Sequence, residues 1–79
     1  MSADAIEVEG VVLAEHKGGF YDVDAELGDT VRRVLARLSG RLVRHHIRLV
    51  PGDRVRVELG SYDTSRGRIV YRLTGARVA

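Results

Sequence analysis

The chain has 79 residues and a formal net charge of +2, with 44% hydrophobic and 30% charged residues. This length suits one small domain, and this composition is typical of a folded protein. The absence of cysteine excludes disulfides and thiolate zinc sites, and no apolar run approaches the ~20 residues of a membrane span. The N-terminal residues lack the features of a signal peptide, so we expect a cytoplasmic protein without a membrane partner.

The first third of the chain contains two segments with strand character. Residues 6–14 alternate at first and are rich in β-branched side chains, which predicts a first β-strand. Gly10 within this segment indicates a bulge or bend, the device that lets one strand serve two sides of a small barrel. Residues 20–27 alternate apolar and mostly acidic side chains, and they predict a second strand that pairs with the first as a hairpin.

The middle of the chain is less regular. Residues 31–38 fit the apolar spacing of a helix, but a bulged third strand agrees better with the preceding hairpin pattern. Residues 40–45 predict one helical turn. The sequence Pro51-Gly52-Asp53 is typical of a tight turn, because proline presets φ at the first central position and glycine tolerates a positive φ at the next.

Two further alternating segments, residues 53–59 and residues 67–73, predict the fourth and fifth strands. We expect one folded domain over residues 6–73, with a flexible N-terminus at residues 1–5 and a flexible tail at residues 74–79. The inward positions of the predicted strands define the expected core, which comprises Val12, Val23, Val55, Val57, Ile69 and Tyr71.

Five short strands, with one helical turn between the third and the fourth, place the chain in the all-β class. This order is that of the five-stranded OB fold, a Greek-key barrel. Closing the barrel removes exposed strand edges, which a domain of this size has few other means to protect. The alternative architecture is an SH3-like barrel.

The small net charge conceals a separation of charge along the sequence. Residues 1–30 carry eight acidic residues and one lysine, a net charge of −7, whereas residues 31–79 carry twelve arginines and three acids, a net charge of +9. The planar guanidinium of arginine suits phosphate and stacks on bases. The alternatives are a merely solvated surface and an anionic partner, and the pattern favours a nucleic acid.

Side chains with catalytic or metal-binding potential are few and poorly spaced. The three histidines, His16, His45 and His46, lack the spacing of a metal site. The acidic face of residues 22–26 spreads its carboxylates at intervals of ~6.5–7 Å, which is wide for one cation. We therefore expect a protein that is not an enzyme and that needs neither a metal nor a cofactor.

Basic side chains define the candidate binding site, and they form three groups: Arg41, Arg44 and Arg48; Arg54 and Arg56; Arg66, Arg68 and Arg72. The first group has the three-to-four spacing that shares one face of a helical turn. In the last group, Arg68 and Arg72 lie opposite Ile69 and Tyr71 in the alternation, which predicts an outward row of guanidinium groups. Tyr62 lies in a polar loop, where it is the better candidate to face a ligand.

Four segments of the second half form a specific pattern, which consists of Ser39-Gly40-Arg41, Ile47-Arg48-Leu49, Pro51-Gly52-Asp53-Arg54-Val55 and the eleven residues Tyr62–Arg72. Over residues 6–72 the chain resembles bacterial translation initiation factor one. The family's usual Lys-Met-Arg after Ser-Gly is replaced here by Arg41-Leu42-Val43, and Arg44 follows one position later. The hairpin of residues 27–33 is longer than is usual in the family.

The resemblance implies an OB-fold protein that binds the A site of the small (30S) ribosomal subunit. Family members contact the decoding region of 16S rRNA and ribosomal protein S12, exclude elongator tRNA from the A site, and support initiation factors two and three. The resemblance and the charge pattern together predict that rRNA is bound by Arg41, Arg44, Arg48, Tyr62, Arg66, Arg68 and Arg72. We expect the protein to be a monomer. The alternatives are a general single-stranded RNA-binding or RNA-chaperone module and a protein-interaction barrel that docks through its acidic half.

Overall fold

The structure is a computed structural model that describes residues 5–74. Its elements are β1 (Ala5–His16), β2 (Phe20–Leu27), β3 (Thr30–Leu38), α1 (Gly40–Arg44), β4 (Arg54–Gly60) and β5 (Arg66–Thr74). The five predicted strands and the predicted helical turn are confirmed, and residues 31–38 belong to a strand rather than a helix. The predicted flexible ends, residues 1–5 and 74–79, lie outside the described residues except for their innermost positions.

The five strands close into a barrel in the order β1-β2-β3-β5-β4. Three strands, β1 to β3, form an antiparallel meander, and β4 and β5 form an antiparallel hairpin. Two seams join these units, since β1 pairs with β4 in the antiparallel sense and β3 pairs with β5 in the parallel sense. This topology, with α1 between β3 and β4, is the predicted OB fold, and the SH3-like alternative is not adopted.

The first strand belongs to both sides of the barrel. Its first part pairs with β4 and its second part pairs with β2, and the two pairings overlap at Gly10 and Val11. A Cβ atom on Gly10 would lie 2.7 Å from Cγ1 of Val23 and 2.8 Å from the carbonyl oxygen of Asp24. Glycine therefore allows the close approach of β2, and β1 serves two sides of the barrel as predicted, but its register shift lies between Val12 and Ala14 rather than at Gly10.

The core is formed by inward side chains from all five strands. Five of the predicted core residues are at most 1% exposed, namely Val12, Val23, Val55, Val57 and Ile69. Leu42 of α1 and Leu49 of the segment before β4 join the same cluster. Tyr21 is also buried, and this burial raises the pKa of its hydroxyl, although a hydrogen bond with the backbone of Leu49 opposes the shift. The core thus ties the segment after α1 to β2.

The prediction that Tyr71 is a core residue is wrong, because β5 contains a bulge. Val57 lies opposite Ile69 and Arg56 lies opposite Tyr71, so Val70 is an extra residue on β5. The extra residue shifts the alternation by one position, and the side chain of Tyr71 turns outward with 49% of its surface exposed. The inward assignment of β5 therefore holds for Ile69 and fails beyond it.

Candidate RNA-binding interface

The short helix α1 positions the first two candidate arginines. Ser39 caps the helix, since its hydroxyl accepts a hydrogen bond from the backbone N–H of Leu42 at 3.3 Å. Leu42 is buried and anchors the helix in the core, whereas Arg41, Val43 and Arg44 are exposed. One capped turn with one apolar anchor is therefore enough to hold two guanidinium groups on the outer surface.

The segment after α1 positions Arg48. The N–H of Ile47 donates a hydrogen bond to the carbonyl of Leu42 at 3.0 Å, and this bond attaches the start of the segment to α1. Further along, the carboxylate of the buried Asp53 accepts a hydrogen bond from the N–H of Val50 at 3.1 Å. Arg48 is exposed between these two fixed points, and its neighbour Leu49 is buried.

The side chain of Arg72 reaches the same segment from β5, and its Nη1 donates a hydrogen bond to the carbonyl of Arg48 at 3.3 Å. Arg72 lies opposite Val55, whereas Arg68 lies opposite Glu58 on the other side of the bulge. The two arginines therefore point to different faces of β5. The predicted outward row of Arg68 and Arg72 is wrong, because the alternation does not continue through Val70.

The outward turn of Tyr71 creates a contact that sequence reasoning missed. The guanidinium carbon of Arg41 lies 5.8 Å from the centre of the Tyr71 ring, within cation–π distance. The phenol ring therefore supports one of the candidate arginines. The one sequence signal of the irregularity is Val70, an apolar residue at a position where alternation expects an outward side chain.

The loop before β5 presents Tyr62, whose side chain is 92% exposed. Asp63 closes this loop by accepting hydrogen bonds from the backbone N–H and the hydroxyl of Ser65, at 3.0 Å and 2.5 Å. The hydrogen bond from the hydroxyl is the largest of the effects that lower the pKa of Asp63. Arg66 follows directly and is exposed, whereas Arg68 is paired with Glu58 at 2.7 Å.

The arginine pair of β4 is engaged by acidic side chains. Nη2 of Arg54 lies 2.8 Å from a carboxylate oxygen of Glu9 and 3.6 Å from one of Glu26. Arg56 lies 3.7 Å from carboxylate oxygens of both Glu7 and Glu9. The hydrogen bond to Glu9 raises the pKa of Arg54. These two positive charges are therefore balanced by acids of β1 and β2.

The acids of β2 have partners elsewhere as well, since Asp22 pairs with His16 at 2.9 Å and Asp24 with Arg33 at 3.1 Å. Within residues 5–73, no salt bridge involves five of the candidate residues, which we call the unpaired arginines: Arg41, Arg44, Arg48, Arg66 and Arg72. Among residues 5–73, positive charge without a salt bridge therefore lies on α1, on the segment after it and on β5, and also at Lys17, Arg32 and Arg37. Such a distribution suits a polyanion.

Other kinds of site have little support in the part of the chain that the structure describes. In residues 5–74, no group of three or more histidine and acidic side chains is arranged to hold a metal ion. No helix in the same part of the chain is long and apolar enough to cross a membrane.

A closed OB barrel with exposed arginines of this kind defines a small RNA-binding protein. The solution structure of translation initiation factor one from the Wolbachia endosymbiont strain TRS of Brugia malayi is similar to it, with 36% sequence identity and a TM-score of 0.70. The match covers 95% of this chain and 85% of that one. The chain belongs to the family of translation initiation factor one, as its sequence motifs predicted, and it shares that family's general role at the ribosome.

The same barrel also matches part of a larger protein. The crystal structure of YjeQ from Thermotoga maritima has 25% sequence identity and a TM-score of 0.70, over 90% of this chain but 24% of YjeQ. No family model matches the sequence. The barrel therefore occurs both as a small factor and within a longer chain.

Proposed function

We propose that this protein binds 16S rRNA in the A site of the 30S subunit, in contact with ribosomal protein S12, and thereby keeps elongator tRNA out of that site. The observation that supports the proposal is the set of unpaired arginines on α1, the segment after it and β5, whereas Arg33, Arg54, Arg56 and Arg68 are paired with acids. Membership of the initiation factor one family supports the ribosome as the source of the polyanion. The protein acts as a monomer in the cytoplasm and supports initiation factors two and three.

The proposed mechanism is occupancy of a site, with no chemical step, metal or cofactor. The unpaired arginines, together with Arg68, bind phosphates through charge-assisted hydrogen bonds, and each bound phosphate releases counterions. Tyr62 is exposed enough to stack on an unpaired base. The barrel holds these groups on a rigid frame, so the affinity of the protein does not depend on ordering a long loop.

A general single-stranded RNA-binding role is the second candidate. The observation that favours it is the outward position of Tyr71, which adds a second exposed tyrosine to Tyr62. A protein of this second kind would bind many unstructured RNAs with similar affinity. Such a protein is not expected to compete with a tRNA for one ribosomal site.

Footprinting of 16S rRNA and tRNA competition test the proposal together. We expect protection confined to the decoding region of the 30S subunit, and we expect the protein to displace tRNA from the A site but not from the P site. The second candidate predicts scattered protection and no displacement. Scattered protection, or a failure to displace tRNA from the A site, would contradict the A-site proposal.

A pair of single substitutions tests the polarity of the surface. Arg68→Ala should weaken binding to 30S subunits and should lower the slope of log K against log salt concentration by about one unit, because it also leaves the carboxylate of Glu58 unpaired beside the other arginines of this surface. Asp24→Ala should leave the affinity unchanged or slightly raised, because it frees Arg33 from its salt bridge. Titrations at several salt concentrations measure both effects. Equal losses from the two variants would contradict a polarised RNA-binding surface.

A further inference from the structure

We infer that Arg37, a residue outside the site described so far, binds the RNA backbone in a groove that it shares with Arg66 and Arg68. This inference rests on the proposed function, because it names a further contact for the same ligand. The chemical class that the groove takes is a phosphodiester strand. Arg37 lies near the end of β3, one residue before its last position.

The groove is an open depression between β3, β4, β5 and α1, and its volume is about 720 Å³. Arg37 and Arg68 are direct partners in the parallel pairing of β3 with β5. Arg66 and Arg68 flank Gly67, so they lie on the same outer face of β5, ~6.5–7 Å apart along the strand. Three arginines therefore border one depression on the outer surface of the barrel.

The charge of this groove is not balanced by the protein. Glu58 is the one acidic residue among those that line the groove within residues 5–73, and it is paired with Arg68. Arg37 makes no salt bridge to any described carboxylate, yet it lies directly across from Arg68. Glu58 offsets one of the three arginine charges around the groove, so an excess of positive charge remains there. A phosphodiester strand carries the negative charge that would offset it.

The side chain of Arg37 is also held in place before any ligand binds. Its guanidinium carbon lies 5.3 Å from the centre of the Phe20 ring, and Phe20 is its partner in the pairing of β2 with β3. A cation–π contact of this kind orients the guanidinium while it leaves the N–H groups at its edge available as donors. The contact therefore lowers the entropy that Arg37 would lose on binding a phosphate.

The test compares Arg37→Gln with Arg33→Gln. Both arginines lie on the outer face of β3 and both substitutions remove one positive charge, but Arg33 is paired with Asp24. Arg37→Gln should weaken binding to 30S subunits by about tenfold and lower the salt slope by about one unit. Its thermal midpoint should change little, because the side chain of Arg37 is exposed. Arg33→Gln should change the affinity by less than about twofold.

A second measurement uses a short oligouridylate and the unmodified protein. The NMR signals of the Nε–Hε groups of Arg37, Arg66 and Arg68 should shift on titration, whereas that of Arg33 should not. If Arg37→Gln binds 30S subunits like Arg33→Gln and the Arg37 signal does not move, the groove proposal is wrong. The A-site proposal then still stands on variants of α1. If the Arg37 signal moves but the protein does not displace A-site tRNA, the groove stands and the A-site proposal fails.

Discussion

Replacing Ile69 by alanine should lower the free energy of unfolding by ~2–4 kcal/mol, as expected for truncating a fully buried side chain. Ile69 is 0% exposed and lies opposite Val57 on β4, in the middle of the core. Its backbone carbonyl also accepts a hydrogen bond from the N–H of Ser39, the N-cap residue of α1. A small barrel has only a few kcal/mol of stability to lose, so a large part of the variant should be unfolded at 37 °C.

Chemical denaturation measures this effect, and two further variants calibrate it. Ile69→Val removes one methyl group and should cost ~0.5–1.5 kcal/mol. Val50→Ala removes an exposed side chain and should stay within ~0.5 kcal/mol of the original protein. If Ile69→Ala unfolded at the same denaturant concentration as Val50→Ala, the inward position of Ile69 would be wrong.

Substituting glutamine at Arg41, Arg44 and Arg48 together should abolish tight binding to 30S subunits. The loss should be about tenfold for each charged hydrogen-bonding group, and therefore ~1000-fold for the three. The salt slope should fall by about three units, because three fewer phosphates are neutralised. The fold should persist, since all three side chains are exposed and none of them makes a salt bridge among residues 5–73.

The matched control substitutes glutamine at Arg33, Arg54 and Arg56. It removes the same number of positive charges, but these charges are balanced by Asp24, Glu9 and other acids. Near physiological salt its affinity should stay within a few-fold of that of the original protein. Salt screens the attraction between the RNA and charges that do not contact it directly. Comparable losses from both triple variants would mean that net charge, rather than the position of the arginines, governs binding.

Most of the fold can be predicted from the sequence, because period-two alternation and glycine placement report directly on strand faces. The second strand, residues 20–27, has the bounds in the structure that its alternation predicts. The third strand is ambiguous in the sequence, since Val31, Val34 and Leu38 also fit a helical stripe. Residues 30–38 form a strand because they pair with β2 on one side and with β5 on the other. Val31 is exposed near the tip of the hairpin and does not belong to an apolar face. Such pairing depends on distant segments that local periodicity does not contain.

The candidate site is harder to predict than the fold. The exposure of Arg41 and Arg44 follows from their positions on a capped turn, and that of Tyr62 from its polar loop, whereas Arg48 lies beyond the end of α1. The orientation of Tyr71 does not, since a bulge depends on the register between two strands and not on the composition of either. The neutralisation of Arg54 and Arg56 likewise depends on β1 lying beside β4. The charge separation along the sequence is therefore partly cancelled once the chain is folded.

The two seams of the barrel have a consequence for how the protein folds. One seam places Ala5 opposite Gly60, and the other places Leu38 opposite Ile69, so each joins residues that are far apart in the chain. Isolated hairpins are marginal in water, and non-local closure is slow, typically milliseconds to seconds for barrels of this kind. Arg41 and Tyr71 become neighbours only when the last strand docks. The contact between Arg41 and Tyr71, and the alignment of β5 beside β3, therefore exist only in the closed barrel.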